Sequence, residues 1–475
     1  STVVDFVVAR RIAVSPAAAQ RKWLVALSLT FNLGMLGYFK YANFFVESAS
    51  GLLACLGMSP AAWHLDIVLP VGISFYTFQT MSYVIDVYRR EIPATRDLLD
   101  FAVFVAFFPH LVAGPILRAS TLLSQIDSPR RITRDQLRDG AWLIAWGYFQ
   151  KVFVADNLAG LANAAFDPAV PQTGVNVLLG VYAFAFQIYG DFAGYSNIAR
   201  GTSKLMGIEL IENFRFPYLV RTPQAFWRHW HISLSTWLRD YLYIPLGGSR
   251  GSEWQTRRNL FLTMVLGGLW HGAAWTFVLW GIYHGVLLIA YRAAERWDGF
   301  RRLVAGPHPL ARLVSWAVMF HVTCYGWLIF RARSAGQIRD LSSSLITAFG
   351  VAAPTLRAHA ASGDFELVRE VRLLPSPQGQ AEIVAAGSVR ATDRSVPLLM
   401  SDADPDTLPT AARPAGAGQL LAAVSLPSDA AIHAGDDVPA LLIAAAGDIL
   451  GGAWQFAKQF RAIAGSDIRD LSLSG

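Results

Sequence analysis

Apolar residues in this chain gather in long blocks separated by short polar or basic connections. A helix needs about 20 predominantly apolar residues to cross the hydrocarbon core of a bilayer. By that measure the blocks at 23–46, 67–88, 140–155, 174–199 and 313–330 predict membrane helices. Two further blocks do not fit one straight span. The block at 98–117 is interrupted by Pro109-His110 and by Gly114-Pro115. The block at 260–291 has 32 residues, too long for one straight span and too short for two. Both predict broken or re-entrant segments, which are tolerated at membrane depth only where protein or a water-filled cavity surrounds them.

Lysine and arginine placement gives an orientation. The segment 10–22 is basic, 47–66 has no Lys or Arg, and Arg89, Arg90 and Arg96 follow the next block. The connection 156–173 again has none, and 200–258 is strongly basic. Basic connections are retained on the cytoplasmic side, so the charge-poor ones face outward. Both ends of 98–117 are basic (Arg96 before it, Arg118, Arg130 and Arg131 after), as a re-entrant segment requires. The opening residues Ser1 to Arg11 read as the end of an apolar helix with a basic stop, and further apolar sequence is expected ahead of them.

Composition agrees with the block pattern. Charged residues are 16% and hydrophobic residues 53% of 475, whereas a soluble domain carries roughly a quarter charged residues. The net charge of +6 resides in arginines flanking apolar blocks, so topology accounts for it without a nucleic-acid partner. Two cysteines, Cys55 and Cys324, exclude a disulfide framework and a CxxC metal site. Past residue 330 the character changes, since all 15 Tyr and 14 of the 15 Trp precede 331. Residues 351–440 are rich in Ala, Pro, Ser and Asp. Within them 365–374 and 382–389 read as short strands and 405–414 as linker; 440–450 is apolar but short for a span.

Few residues carry obvious chemistry. No HExxH, GxSxG or P-loop is present. His271 lies 12 residues after Asn259, about 18 Å along a helix, which is close to the midplane of a ~30 Å core. Three glycines surround it in Gly267-Gly268-Leu269-Trp270-His271-Gly272. A titratable group at that depth is either functional or held by structure, and a neutral imidazole there is a competent general base. His284 follows 13 residues later. A basic aromatic block at 226–241 contains His229 and His231, and its spacing suits an amphipathic helix at the cytoplasmic interface. His229 and His231 are two apart, so on a helix they face different ways and do not form a metal pair. Hydrogen-bonded structural roles suit His110 and His321. Asp86 and Asp191 are carboxylates inside apolar blocks, placed either to pair with an arginine or to line a polar channel.

Several runs together resemble one family. Gly72-Ile73-Ser74-Phe75-Tyr76-Thr77-Phe78-Gln79, the block 226–241 with Trp230-His231-Ile232-Ser233-Leu234-Ser235, and Leu269-Trp270-His271-Gly272 look like membrane-bound O-acyltransferases. Phe108-Pro109-His110-Leu111-Val112-Ala113-Gly114-Pro115 and Tyr243-Ile244-Pro245-Leu246-Gly247-Gly248-Ser249-Arg250 are similar to the branch containing the alginate O-acetyltransferase membrane subunit. The resemblance covers about residues 1–335, leaving 336–475 as a divergent C-terminal region.

The resemblance implies an all-α multi-pass fold, a ring of tilted helices with re-entrant segments around a central funnel, in a bacterial inner membrane. It implies His271 as the family's essential histidine and His231 as its second. Acetyl-CoA is the implied donor, used as a substrate with no bound cofactor or metal. A polysaccharide is the implied acceptor, reached through partner proteins with periplasmic domains. Trp270 then packs beside the reacting centre, with Arg239, Asp240 and Asp191 as substrate or channel residues. Arg228, Arg257 and Arg258 are further candidates for the phosphates of CoA, although topology already explains their charge. Two other readings stay open: a transporter or proton relay using His271 and Asp191, and a non-catalytic scaffold of an export complex.

Overall fold

Where the apolar blocks run without proline they form helices, and where Gly, Pro or a polar cluster interrupts them the helices break. The computed structural model describes residues 1–58, 64–111, 114–169, 172–306 and 308–347, together with the backbone of four strands between 356 and 400. The chain divides into two compact units, Ser1–Val351 and Ala352–Gly475.

In the first unit the described elements are all helical. Helix α1 (Thr2–Val14) packs on α2 (Ala18–Leu36), which a π-helical turn at Gly37–Tyr41 joins to α3 (Ala42–Cys55). A buried carboxylate ties the first pair: Ser28 Oγ donates to Asp5 at 2.6 Å and Asn32 Nδ2 at 2.8 Å. Those donors replace the water that Asp5 gives up on burial. Helix α4 (Ile73–Arg89) begins later than the apolar block at 67–88 predicts. Gly72 precedes it at φ +75, and a Cβ there would collide with the Leu111 carbonyl.

The proline-broken block is irregular as expected. Helix α5 (Leu98–Val105) ends before a 3-10 turn at Phe108–His110, and α6 (Ala119–Ile126) follows. Helix α7 (Arg134–Tyr148) starts on a capping box made by Thr133 and Gln136. A π-helical stretch, Phe149–Ala155, carries it into α8 (Asp156–Ala165). Helix α9 (Gly174–Leu205) has 32 residues, about 48 Å. It runs antiparallel to the α7–α8 run, with backbones touching at Gly147 and Gly194. A Cβ on either glycine would lie 2.6 or 2.7 Å from the other's carbonyl oxygen.

The block at 226–241 differs from its expectation as one interfacial amphipathic helix. It forms two short helices, α10 (Pro223–His229) and α11 (Ile232–Leu238), broken at Trp230 and His231. Phe226, Trp230, His231, Leu234 and Trp237 are all buried. The break has a local cause, since His231 takes a left-handed φ of +43.

The block at 260–291 breaks into a hairpin. Helix α12 (Glu253–His271), opened by a Ser252–Gln255 capping box, returns as α13 (Trp275–Ala294). Gly272 allows the turn, because a Cβ there would collide with the Phe277 ring. Glycines also let the two arms touch: a Cβ on Gly281 would lie 2.5 Å from the Met264 carbonyl oxygen. Helices α14 (Asp298–Ala305), α15 (Pro309–Arg331) and α16 (Ala335–Thr347) complete the unit. Helix α16 packs on α8 and α9 through Leu341 and a 2.8 Å bond from Gln337 Nε2 to the Phe166 carbonyl. The helical unit therefore runs past the boundary expected at 335/336.

Among the described residues α9, α13 and α15 are long and apolar enough to cross a membrane. The blocks 23–46 and 140–155 lie in helical runs interrupted by π turns. Large apolar side chains such as Trp23, Leu33, Tyr148 and Val318 are exposed on the outside, which lipid tolerates and water does not.

The second unit contains an antiparallel sheet in the order β1 (Leu356–Ser362), β2 (Phe365–Pro375), β3 (Ala381–Ala391), β4 (Arg394–Met400). Its register pairs Ser362 with Phe365, Pro375 with Ala381 and Ala391 with Arg394. Strands β2 and β3 coincide with the runs expected at 365–374 and 382–389, so the all-α expectation holds for the helical unit and not for the tail. The linker expected at 405–414 and the apolar stretch at 440–450 lie outside the described residues.

Candidate functional site: the tip of a helical hairpin

His271 is the last residue of α12 and stands at the turn of the α12–α13 hairpin. The final carbonyls of a helix have no intrahelical donor, and here a second element supplies them. The Tyr41 hydroxyl donates to the Leu269 carbonyl at 2.8 Å. The Lys40 ammonium donates to the Trp270 carbonyl and, at 3.0 Å, to Ser74 Oγ of α4. A cation at a helix C-terminus is also favoured by the helix dipole. Lys40 and Tyr41 both belong to the π turn at Gly37–Tyr41, a distortion frequent at functional sites.

Three aromatic rings surround the His271 imidazole. Trp270 lies 5.2 Å away between ring centroids, Trp280 5.1 Å and Phe330 5.4 Å, all roughly perpendicular to it. His271 is half-buried. Among the described residues neither ring nitrogen has a hydrogen-bond partner, so the imidazole is held by packing and its nitrogens are free for a substrate.

His231 lies near the same indole, with 6.2 Å between its ring centroid and that of Trp270. Its Nδ1 lies 3.2 Å from Asn213 Oδ1. Asn213 is itself fixed, since its Oδ1 accepts from the Ser233 backbone N–H at 3.1 Å and from Ser233 Oγ at 3.0 Å. An amide oxygen can only accept, so Nδ1 carries the proton and Nε2 is the basic nitrogen, a tautomer assigned from the network. That Nε2 is buried without a partner among the described residues. Phe192 covers the ring edge at 4.6 Å.

Aromatic stacking links this pair to the remaining candidates. Phe78 lies 3.8 Å from Trp237, nearly parallel, and 5.4 Å from Trp270. Beyond Trp237 comes a π turn, Arg239–Tyr243, with a dense charge cluster. Arg239 Nε donates to Asp240 at 2.6 Å, Arg118 also donates to Asp240, and Tyr241 donates to Asp86 at 2.7 Å. The Arg89 and Arg118 guanidiniums each lie 5.3 Å from the Tyr241 ring. Burial acts to raise the Asp240 carboxyl, but the hydrogen bonds from Arg239 and Arg118 outweigh it and hold it below its ordinary value.

The structure does not bring Asp191 to the histidines. It pairs with Lys151 at 2.7 Å, and Lys151 also holds Asp156 at 3.0 Å. Arg228 is exposed, and Arg257 shares Glu253 with Arg292 and Arg296. Arg258 donates to Asn259 at 3.0 Å. His110 and His321 are hydrogen-bonded, to Gln79 and Tyr182 respectively. His284 is buried among Phe226, Trp227 and Trp280, and its Nδ1 has no partner among the described residues.

Lys40, Tyr41, Ser74 and Asn213 join the site without having been marked by the sequence reading. A signal for Lys40 was present, because it is a lone lysine inside the apolar block 23–46. Asn213 had none, since nothing in its neighbourhood marks it as a partner of a residue 18 positions later.

Comparison with known proteins places this geometry. The membrane-bound O-acyltransferase family model matches residues 87–329, just over half of the chain. A probable alginate O-acetylase of Pseudomonas aeruginosa is 49% identical over 336 residues, 70% of this chain and 62% of that protein. One from Azotobacter vinelandii is 47% identical, covering 70% and 65%. The chain thus spans less than two thirds of the length of these two relatives. A peptidoglycan O-acetyltransferase of Helicobacter pylori is 34% identical over 74% of this chain and 70% of its own length. The match includes the hairpin with His271 and the turn with His231, and the chain is a membrane protein belonging to the membrane-bound O-acyltransferase family.

Proposed function

We propose that this chain is an O-acyltransferase of a bacterial inner membrane. In this reading it moves acetyl groups from acetyl-CoA on the cytoplasmic side toward hydroxyls of an exported polysaccharide such as alginate. The observation that carries the reading is the half-buried His271 imidazole, fixed by three aromatic rings with its nitrogens unengaged, at a helix end braced by Lys40 and Tyr41. The relatives named as O-acetylases and an O-acetyltransferase support the choice of acetyl and of a cell-surface acceptor.

The chemistry comes from what an imidazole does in a site shielded from water. The donor thioester enters along the basic face, where Arg228, Arg257, Arg258 and the Arg239–Asp240 turn meet the phosphates of CoA. His271 accepts the proton of the attacking hydroxyl as its oxygen bonds to the thioester carbonyl carbon. Collapse of the tetrahedral intermediate breaks the carbon–sulfur bond, and the thiolate leaves with the proton that His271 returns. His231, with Nδ1 held by Asn213 and Nε2 unengaged, positions the reacting groups. Trp270, within 5.2 Å of the His271 ring and 6.2 Å of the His231 ring between centroids, shapes the passage. Asp191, bound to Lys151, holds α9 against the α7–α8 run. A ring of tilted helices around a funnel would give donor and acceptor access from opposite sides, and periplasmic partner proteins would complete delivery to the polymer.

The direct test uses purified protein in detergent. Acetyl-CoA is supplied with a hydroxyl acceptor, and free thiol is measured over time. Acceptor-dependent thiol release that His271→Ala abolishes supports the reading, and release unaffected by that substitution contradicts it.

A further inference from the structure

Tyr41 and Lys40 do the same mechanical job at the end of α12 with different chemistry. The Tyr41 hydroxyl holds the Leu269 carbonyl at 2.8 Å, and the Lys40 ammonium holds the Trp270 carbonyl. A neutral donor is therefore enough to brace a carbonyl here. Lys40 instead brings a full charge into the apolar block 23–46, where a cation is expensive. The helix dipole offsets part of that cost, but no carboxylate does. Lys151 is paired with Asp156 and Asp191, and Lys204 with Glu209. Lys40 has no carboxylate partner among the described residues.

This charge lies next to the candidate histidine. The Trp270 carbonyl belongs to the peptide bond that joins Trp270 to His271. The ammonium is also 5.5 Å from the centroid of the Trp270 ring, and that ring is 5.2 Å from the imidazole. An ammonium has three N–H donors. The Trp270 carbonyl takes one and Ser74 Oγ, at 3.0 Å, a second. No described residue takes the third.

A second unsatisfied donor belongs to the same ring. The Trp270 Nε1–H is buried without an acceptor among the described residues. An indole nitrogen only donates, and leaving a buried donor unpaired is costly. Trp280, the other indole against His271, lacks an acceptor as well; the cation singles out Trp270. Two donors beside one imidazole, one of them charged, suit an oxygen on which negative charge builds up.

We propose that Lys40 is a catalytic residue, and that its ammonium and the Trp270 Nε1–H together bind the carbonyl oxygen of the acyl thioester. The inference rests on the acyltransferase reading. As a hydroxyl oxygen bonds to the thioester carbon, its proton passes to His271 and the carbonyl π electrons move onto the oxygen, where the two donors stabilise them. When the carbonyl re-forms, the carbon–sulfur bond breaks and the thiolate takes the proton from His271. Lys40 keeps its own protons throughout. Both donors act on the acyl group alone, so the step is the same whichever hydroxyl receives it.

The experiment takes two readouts on the purified chain in detergent. Turnover is followed as thiol release from acetyl-CoA. Carbonyl polarisation is followed by infrared difference spectroscopy of acetyl-CoA, isotope-labelled at the carbonyl carbon, bound to His271→Ala. Lys40→Met and Trp270→Phe are each expected to lower kcat by about 10²-fold, the scale of one lost oxyanion donor, with little change in KM. Lys40→Arg, which keeps the charge, recovers part of the rate. In His271→Ala the bound carbonyl band lies at lower frequency than that of free acetyl-CoA, and adding Lys40→Met or Trp270→Phe moves it back up. Adding Tyr41→Phe, which loosens the same helix end and keeps both donors, leaves the band in place; a merely structural Lys40 would behave likewise. Should Lys40→Met not accumulate, Trp270→Phe carries the same test. The proposal is overturned if either substitution leaves the band where His271→Ala alone has it, or if Lys40→Met turns over as fast as Tyr41→Phe. A donor-dependent band shift in a chain that releases no thiol contradicts the acyltransferase reading alone. His271-dependent thiol release without such a shift contradicts the oxyanion site alone.

Discussion

Tyr41 and Leu269 are 228 positions apart, yet the Tyr41 hydroxyl donates to the Leu269 carbonyl at 2.8 Å. With Lys40 on the next carbonyl, this contact fixes the end of α12 two residues before His271. Tyr41→Phe removes one hydrogen bond and is expected to cost about 1 kcal/mol of stability. Lys40→Met leaves the Trp270 carbonyl without its donor and is expected to cost about 1–3 kcal/mol. Both should slow acetyl transfer by more than the loss of melting temperature accounts for, because the imidazole loses its bracing. Thermal unfolding in detergent beside thiol-release rates checks this; unchanged rates in both variants would contradict it.

The hairpin depends on two glycines that let its arms touch. A methyl on Gly268 meets the Phe277 carbonyl, and one on Gly281 meets the Met264 carbonyl. Gly281→Ala is expected to destabilise the protein by about 1–3 kcal/mol through overpacking. The alanine variant of exposed Gly160, where nothing lies within 4 Å, should be neutral or better. Comparing folded yield and melting temperature of the two variants separates a packing requirement from a general intolerance of helix substitution.

Asn213 sets the tautomer of His231. Asn213→Ala should free the ring to turn and lower turnover by roughly 10²-fold, the usual scale of a misplaced acid–base group. Asn213→Asp, which keeps an acceptor facing Nδ1, should recover part of the rate. If both substitutions leave the rate and its pH profile unchanged, His231 has no part in the transfer.

Asp240 links Arg118 and Arg239 at the charge cluster. Its carboxyl is held below its ordinary value, so the stability it contributes is complete above the ordinary carboxylate range. That contribution is lost as pH falls through the depressed value. Asp240→Asn should therefore lower the melting temperature at neutral pH, and the gap to wild type should close as the buffer is acidified. A gap that stays constant with pH would show that the carboxylate charge is not what matters.

Much of the helical unit was legible because its signals are local. Long apolar blocks predicted α9 and α15, proline predicted the broken stretch after α5, and the length of 260–291 predicted a break beside His271. The block at 226–241 misled because its aromatic spacing fits an interfacial helix, while a left-handed His231 and the bonds to Asn213 fold it inward. Asp191 stayed open between an ion pair and a channel role for a similar reason: a carboxylate in an apolar block marks an expensive charge without naming its partner, and its ion pair is with Lys151 from the neighbouring π turn. The three π turns left no local signal, although they carry Lys40, Lys151 and Asp240. The partners of these residues, Trp270, Asp191 and Arg118, are distant in sequence and visible only in the fold.

The measurement that bears most directly on the central claim is polysaccharide acetyl content in cells carrying wild-type protein or His271→Ala, with membrane levels of the two matched. Acetyl content is predicted to collapse in the variant while the protein still inserts and accumulates. Acetyl content equal to wild type would contradict the claim, leaving His271 as a packed residue of the hairpin and the transfer chemistry to be sought elsewhere.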